Sequence, residues 1–163
     1  MRRDIVAALL LSMLALPSLA HGEEPTGFAE FPWGSSLRRL NDEFVSPKCL
    51  PSISFEGSGN VLQCLGYRLE GVGVTTVFLV FDPPDALAGY DLTIRFTSYT
   101  AFRRLTVEKF GPPADNKTMR YTTGVGITVS GEVLSWAWPS TVAQLRQRCQ
   151  KMTESCLIVK TRA

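Results

Sequence analysis

This sequence contains few of the side chains that nucleophilic catalysis usually requires. A serine or cysteine nucleophile needs a neighbouring base, and histidine is the usual one. The chain has one histidine, His21, which lies in a polar stretch near the N terminus. The sequence therefore argues against a histidine-based catalytic triad.

A pair of carboxylates is the catalytic arrangement that remains open. Hydrolysis of a glycosidic bond uses two acidic side chains that flank the bond. The candidates are Asp82, Asp85, Asp91 and Glu108. Asp82 and Asp85 flank two prolines and are equally typical of a turn. A carboxylate-dependent glycan hydrolase is accordingly one alternative function, and it requires two of these acids to meet in one cleft.

Four cysteines, Cys49, Cys64, Cys149 and Cys156, predict two disulfides. Three pairings are possible. We favour Cys49–Cys64 and Cys149–Cys156, because each pair flanks a stretch with the pattern of strand, turn and strand. The alternatives are a zinc site and a redox dithiol, but the spacings do not suit zinc and the sequence has no Cys-x-x-Cys motif. We expect no metal and no cofactor.

The N-terminal residues have the pattern of a secretory signal. Two arginines precede an apolar run over residues 5–16, and Pro17 is followed by small residues up to Ala20. This run is shorter than the roughly 20 residues that a membrane-spanning helix needs. The sequence predicts a signal peptide over residues 1–20, cleavage after Ala20, a periplasmic or secreted location, and no membrane span.

The charge balance gives no support to nucleic-acid binding. The chain carries 17 basic and 15 acidic residues, and removal of residues 1–20 leaves 15 and 14. Nucleic acids and anionic membranes require a clustered positive field, and this composition does not provide one. The doublets Arg38-Arg39 and Arg103-Arg104 are interpreted as solvent-exposed faces of helices.

Beyond the signal, the pattern predicts a flexible leader over residues 21–27 and a single α+β domain over residues 28–163. The predicted strands cover residues 53–55, 61–69, 72–81, 87–96, 119–129, 133–138, 142–148 and 156–161. Short turns between consecutive strands imply a mainly antiparallel sheet. Residues 141–148 also suit a helix by their Gln and Arg content, but their alternation favours a closing strand. Gly124 to Gly126 lacks the helix of a phosphate loop and is interpreted as part of a strand.

Two helices interrupt the strands. The first follows Ser35 or Ser36, either of which can act as its N-cap, and ends before Pro47. The second starts near Thr100 and stops at Gly111, which two prolines follow. The inward residues recur at helical spacing, with Leu37, Leu40 and Phe44 in the first helix and Phe102, Leu105 and Phe110 in the second.

The two helices resemble each other in sequence. Leu-Arg-Arg-Leu at residues 37–40 and Phe-Arg-Arg-Leu at residues 102–105 lie about 65 residues apart, and each precedes strands that contain a cysteine pair. A duplicated unit of one helix and a small antiparallel sheet explains this pattern. The alternative is that amphipathic helices resemble one another by necessity.

Two turn motifs carry a resemblance to known proteins. Phe-Pro-Trp-Gly-Ser at residues 31–35 resembles the Trp-Gly turn before helix one of a group of uncharacterised proteobacterial periplasmic proteins. Lys-Phe-Gly-Pro-Pro at residues 109–113 is similar to the end of their second helix. A duplicated helix and sheet in an exported protein also resembles the architecture of the β-lactamase inhibitor proteins. The resemblance is architectural, and it assigns a role to no individual residue.

Trp33, Trp136 and Trp138 are the remaining candidates for a binding surface. Trp136 and Trp138 project from the same face of a strand, and aromatic side chains dominate many interfaces. The simpler interpretation, which we favour, places them on the core face of the sheet. Export, disulfides and the scarcity of catalytic groups together predict a non-enzymatic binding module with an unknown protein or cell-envelope partner. A protein inhibitor of an exported hydrolase is the second hypothesis.

Overall fold

The computed structural model describes residues 22–43, 49–51, 60–83, 85–149 and 151–162. In these residues it has two α-helices, α1 (Leu37–Glu43) and α2 (Tyr99–Phe110), with a short 3-10 turn directly before α2. Two short strands, β1 (Gly27–Phe28) and β2 (Phe31–Pro32), form a small hairpin ahead of α1. The strands of the main sheet are β3 (Cys49–Pro51), β4 (Asn60–Leu69), β5 (Gly73–Asp82), β6 (Ala86–Arg95), β7 (Asp115–Thr122), β8 (Thr128–Ala137), β9 (Thr141–Arg146) and β10 (Glu154–Thr161).

The main sheet is antiparallel throughout, in the order β3-β4-β5-β6-β10-β9-β8-β7. Strands β3 to β6 form one meander and β7 to β10 form another, and the two meanders meet where β6 pairs with β10. Helix α1 precedes the first meander and α2 precedes the second. The expected α+β class and mainly antiparallel sheet are confirmed.

Both helices pack on the same face of the sheet, which we call the covered face. Leu40 of α1 and Phe102 of α2 belong to one buried cluster with inward-facing strand residues such as Leu79, Leu134 and Val159. These positions alternate along their strands with half-buried residues on the other side, as the two-residue period of a strand requires. The hydrophobic core therefore lies between the helices and one side of the sheet.

Helix α1 is positioned by two bonds at its N terminus. Ser36 Oγ accepts a hydrogen bond from the backbone N–H of Arg39 at 3.2 Å, so Ser36 is the N-cap of the two serines predicted for this role. The backbone N–H of Leu37 donates to Asp85 Oδ1 at 2.7 Å. Asp85 therefore satisfies a free donor of this helix end, in addition to its place in the β5–β6 turn.

Helix α2 ends at the predicted stop. Gly111 follows its last residue with φ 74°, a left-handed value that glycine adopts at little cost, and Pro112 comes next. On the buried side, Thr106 Oγ1 donates to the carbonyl of Phe102 at 2.8 Å. This internal bond satisfies the hydroxyl of Thr106, which α2 buries among its aromatic residues.

The strand predicted over residues 119–129 is wrong, because the chain reverses there. The structure instead has a hairpin of β7 and β8, whose tip is residues 123–127. Gly126 has φ 82° and donates its backbone N–H to the carbonyl of Thr123 at 2.9 Å. Gly124 to Gly126 therefore forms the turn and not a strand interior. Residues 141–146, in contrast, form a strand as expected.

Both predicted disulfides are confirmed. Cys49 and Cys64 are register partners on β3 and β4, and Cys149 and Cys156 close the loop between β9 and β10. Disulfides of this kind are typical of proteins that leave the reducing cytosol. Neither described helix has the length and hydropathy of a membrane span. The predicted signal peptide, the predicted strand at residues 53–55 and Phe44 lie outside the described residues.

The segment before β1 is hydrogen-bonded to the turn between β8 and β9. Trp138 Nε1 donates to the carbonyl of Gly22 at 3.3 Å, and the hydroxyl of Ser140 donates to Glu24 Oε1 at 2.8 Å. A Cβ on Gly22 would come within 1.8 Å of the backbone of Phe110, so only glycine fits this position. From Gly22 onward, the predicted flexible leader thus lies against the domain. We call residues 22–26 the N-terminal clamp.

Candidate binding surface

The three tryptophans predicted as a binding surface lie in or against the core. Trp136 and Trp138 are 4% and 7% exposed, and the ring of Phe110 meets both edge-on at 5.8 and 5.3 Å between centroids. Trp136 Nε1 donates to the carbonyl of Gly111 at 3.0 Å. Trp33 is half-buried and stacks on Tyr90 at 6.0 Å. These side chains stabilise the covered face and offer no exposed apolar patch.

The four candidate acids lie on separate elements. Asp85 bonds to the start of α1, and Asp82 is exposed at the end of β5. Glu108 is exposed on α2, where Arg104 Nη1 lies 3.3 Å from its Oε1. Asp91 lies in the middle of β6 on the side of the sheet that the helices leave free. Of the four candidate acids, the structure therefore places no two in the cleft that it describes, and the pair that a glycan hydrolase requires is not formed among them.

The side of the sheet opposite the helices, which we call the open face, carries an unbroken row of half-buried side chains. The strand register places one residue from each of seven neighbouring strands in line. Because register partners point to the same side, these side chains share one surface. We call this row the open row, and its members are Gln63, Phe78, Asp91, Ile158, Gln144, Ser135 and Asp115.

A second row runs beside the open row on the same face. It contains Thr76, Thr93 and Arg146 together with the disulfide-bonded Cys156. A cleft of about 530 Å³ lies at the end of this row, where the pairing of β5 with β6 stops, and its wall includes Thr76, Thr93 and Glu154 as well as the covered-face residues Thr75 and Ile94. The cleft is therefore at the edge between the two faces, next to the rows of the open face.

Asp91 is the electrostatic centre of the open row. Its register partners are the apolar side chains of Phe78 and Ile158. Burial raises the pKa of Asp91 to about 6, and the negative charge of Glu154 also raises it. A weak hydrogen bond from Thr93 Oγ1 at 3.5 Å and the positive charges of Arg146 and Lys160 lower it. The loss of hydration at Asp91 therefore outweighs the compensation that these groups provide.

The polar groups next to Asp91 are linked to one another. Arg146 Nε donates to Gln144 Oε1 at 2.6 Å, and Gln144 Nε2 donates to Ser135 Oγ at 3.3 Å. Within the described part of the chain, Arg146 forms no ion pair. The linked side chains hold a guanidinium group and two further polar groups in fixed positions beside the apolar Ile158.

Comparison with known proteins returns no match to this chain. No protein-family model matches it, and no curated protein and no solved structure matches it. Over the described ranges, no three His, Cys, Asp or Glu side chains are grouped as the ligands of a metal ion would be. No relative therefore indicates the chemistry of the open face.

Proposed function

We propose that this protein is an exported, disulfide-bonded, non-enzymatic binding module that engages a protein or cell-envelope partner through the open row. The observation that carries the proposal is the one-sided packing of the helices. They cover one face of an eight-stranded sheet and leave the other face half-exposed. The two disulfides support export, since such bonds persist in oxidising compartments.

The composition of the open row suits a protein interface. Specific interfaces combine a central apolar group with polar groups around it, and Phe78 and Ile158 lie next to Asp91 at the centre of the row. Seven strands separated by about 4.8 Å span roughly 29 Å. With the adjoining row, this surface has the width of a standard protein interface.

Asp91 gives the surface its chemical preference. Among the described residues Asp91 forms no ion pair, and burial outweighs the charges of Arg146 and Lys160, so its carboxylate is poorly compensated in the free protein. A lysine or arginine of the partner, placed over Asp91 between Phe78 and Ile158, would supply the missing charge. The proposed partner therefore presents a cation flanked by apolar groups.

The sheet order also supports the proposal that the domain is a duplicated unit. Each half consists of a helix followed by a four-stranded meander, and the last strands of the two halves pair in the middle of the sheet. In this arrangement the central pair β6 and β10 carries Asp91 and Ile158. The centre of the proposed surface is thus the junction between the two repeats, where both contribute.

Affinity capture tests the proposed function. The oxidised protein, immobilised at neutral pH, is exposed to an envelope extract of its own organism, and the retained proteins are compared among the wild type, Asp91→Asn and Gln144→Ala. We expect a discrete partner on the wild type and a loss of about tenfold or more in its affinity for Asp91→Asn.

Asp82→Asn is the matched control, because it makes the same chemical change at an exposed site away from the open row. A partner retained equally by Asp82→Asn and Asp91→Asn does not use the open row and contradicts the proposed surface. Specific turnover of an envelope substrate by the pure protein contradicts the non-enzymatic function.

A further inference from the structure

The β7–β8 hairpin projects from the edge of the sheet as an arm. Strand β9 pairs with β8 only over residues 133–137, and β7 is the last strand of the sheet. Residues 118–132 therefore extend past the end of β9. The base of this part stays in contact with the chain that follows β9, because the N–H of Gln147 donates to the carbonyl of Glu132 at 2.9 Å and Arg148 Nε donates to the carbonyl of Ser130 at 3.2 Å. Beyond Ser130, two residues of β8 rise about 3.3 Å each, so the strands reach roughly 7 Å past these contacts before the turn. We call residues 118–132 the arm.

The tip of the arm exposes aliphatic side chains. Val125 is 82% exposed and Ile127 is 59% exposed. Single exposed apolar residues are common on protein surfaces, but these two share one turn at the end of a projection. The tip thus presents an apolar knob to any concave surface that the arm can enter.

Hydrogen bonds fix the conformation of this knob. The N–H of Gly126 donates to the carbonyl of Thr123 at 2.9 Å, and the N–H of Thr123 donates to the carbonyl of Ile127 at 2.9 Å. The N–H of Ile127 also donates to Thr123 Oγ1 at 3.0 Å. A tip held in this way loses little conformational freedom on binding, which favours affinity.

The charges of the arm narrow the choice of partner. Residues 121–131 contain no charged side chain, and the cations Arg120 and Lys117 lie nearer the base on β7. Pairing of β7 with β7 of a second copy about residues 118 and 119 would place Arg120 opposite Lys117, and like charges in that position are destabilising. Edge-to-edge dimerisation of β7 in that register is therefore disfavoured.

A lipid surface is also a poor match for the arm. Stable membrane attachment needs a buried apolar area larger than one acyl chain supplies, or a cluster of cations in addition. Two aliphatic side chains and Arg120 fall short of both. A pocket of a protein, in contrast, surrounds a small apolar knob on all sides and excludes water from it.

We infer that the arm inserts Val125 and Ile127 into an apolar pocket of a partner protein whose rim is acidic and faces Arg120. The inference rests on the proposed function and deepens it, because it states the shape and chemistry of the partner. A convex, uncharged tip that enters a pocket is also the arrangement expected of a protein that blocks the cleft of an exported hydrolase.

Site-specific photocrosslinking tests this inference. A benzoylphenylalanine replaces Val125 in the full chain expressed in its own organism, and Glu108 carries the same replacement in a control. The side chain of Glu108 is 56% exposed on α2, which packs on the covered face and not on the open row. We expect a discrete protein adduct at position 125 that position 108 does not give. The adducted protein is then purified, and its affinity is measured for the wild type, Val125→Ser and Glu108→Ser.

The inference predicts a loss of about tenfold or more with Val125→Ser and less than about twofold with Glu108→Ser. Equal affinities of the two variants, or no adduct specific to position 125, overturn it. The inference is also overturned if the wild-type protein floats with phosphatidylcholine–phosphatidylglycerol vesicles and Val125→Ser abolishes this flotation. In that case the arm binds a membrane and not a protein pocket.

The outcomes also separate this inference from the proposed function. If Asp91→Asn loses the captured partner and Val125→Ser keeps it, the open row binds and the arm does not. If both variants retain the partner at wild-type affinity, the inference and the proposed surface fail together.

Discussion

Acidic side chains on the covered face and on the open face of the sheet have different hydrogen-bond partners and opposite pKa shifts. On the covered face, Glu132 accepts hydrogen bonds from Tyr99 at 2.6 Å and from Arg103 at 2.8 Å, which lower its pKa. On the open face, the hydrogen bond that the described residues give Asp91 is weak, and burial raises its pKa to about 6. The covered face therefore uses charge to attach α2 to the sheet. The open face, in contrast, carries a carboxyl group whose ionised form is disfavoured by burial.

The largest expected effect belongs to the covered face. Trp136→Ala removes a buried ring that packs on Phe110 and donates to the end of α2. We expect the free energy of unfolding to fall by about 3 to 5 kcal/mol, because truncation of a buried aromatic residue leaves a cavity. Urea denaturation measures it. A loss below about 1 kcal/mol would contradict a core position for Trp136.

We expect a smaller loss of stability when the hydrogen bonds that attach α2 to the sheet are removed. Glu132→Ala leaves Arg103 and Tyr99 without their shared acceptor. Because Arg103 is partly exposed to water, we expect the free energy of unfolding to fall by only about 1 to 3 kcal/mol. Thermal unfolding followed by circular dichroism measures the change, with Glu108→Ala on the exposed side of α2 as control.

On the open face, in contrast, we expect a substitution of Asp91 to raise the free energy of unfolding. The folded state holds the proton of Asp91 more tightly than the unfolded state, so the ionised carboxyl destabilises the fold above about pH 6 and has no such effect below about pH 4. At pH 8, Asp91→Asn should raise the free energy of unfolding by about 1 to 3 kcal/mol. The difference between variant and wild type should disappear at pH 4. A variant that is destabilised at pH 8 would show that Asp91 supports the fold.

The smallest effect on stability is expected at Gln144. Its side chain is half-buried on the open face and bonds only to neighbouring polar side chains. Gln144→Ala should change the free energy of unfolding by less than about 0.5 kcal/mol while it weakens partner binding. Parallel denaturation and binding measurements check both. A large loss of stability would assign Gln144 to the core and remove it from the proposed surface.

Local sequence signals predicted most of the elements of this fold. Ser36, Gly111 and the cysteine pairs marked a helix start, a helix stop and two disulfides, and these signals act over a sequence separation of 15 residues or less. The β7–β8 turn was missed because Gly124 to Gly126 was weighed as a strand interior, although Gly126 suits the left-handed position of a hairpin loop. A glycine-flanked turn between two polar strands was the available signal.

The candidate surface was beyond prediction from sequence for a physical reason. The open row exists only through the register of seven strands, and Gln63 and Asp115 at its two ends are 52 positions apart in sequence. Asp91 was named as a possible catalytic acid, but its apolar neighbours come from β5 and β10. The alternation of residues along β8 predicted that Trp136 points to one face of the sheet. It did not indicate which face the helices cover.

The N-terminal clamp has a consequence for the order in which the chain folds. Its bonds from Gly22, Glu24 and Pro25 reach residues 116 positions later, at Trp138, Ser140 and Thr141. Contacts across such a separation form slowly, because a long loop must close first. The first meander can pair its strands while the second is still being made. We therefore expect the clamp's bonds to residues 138–141 to form after its nearby bonds to Trp33, and to join the N-terminal clamp to the completed second meander.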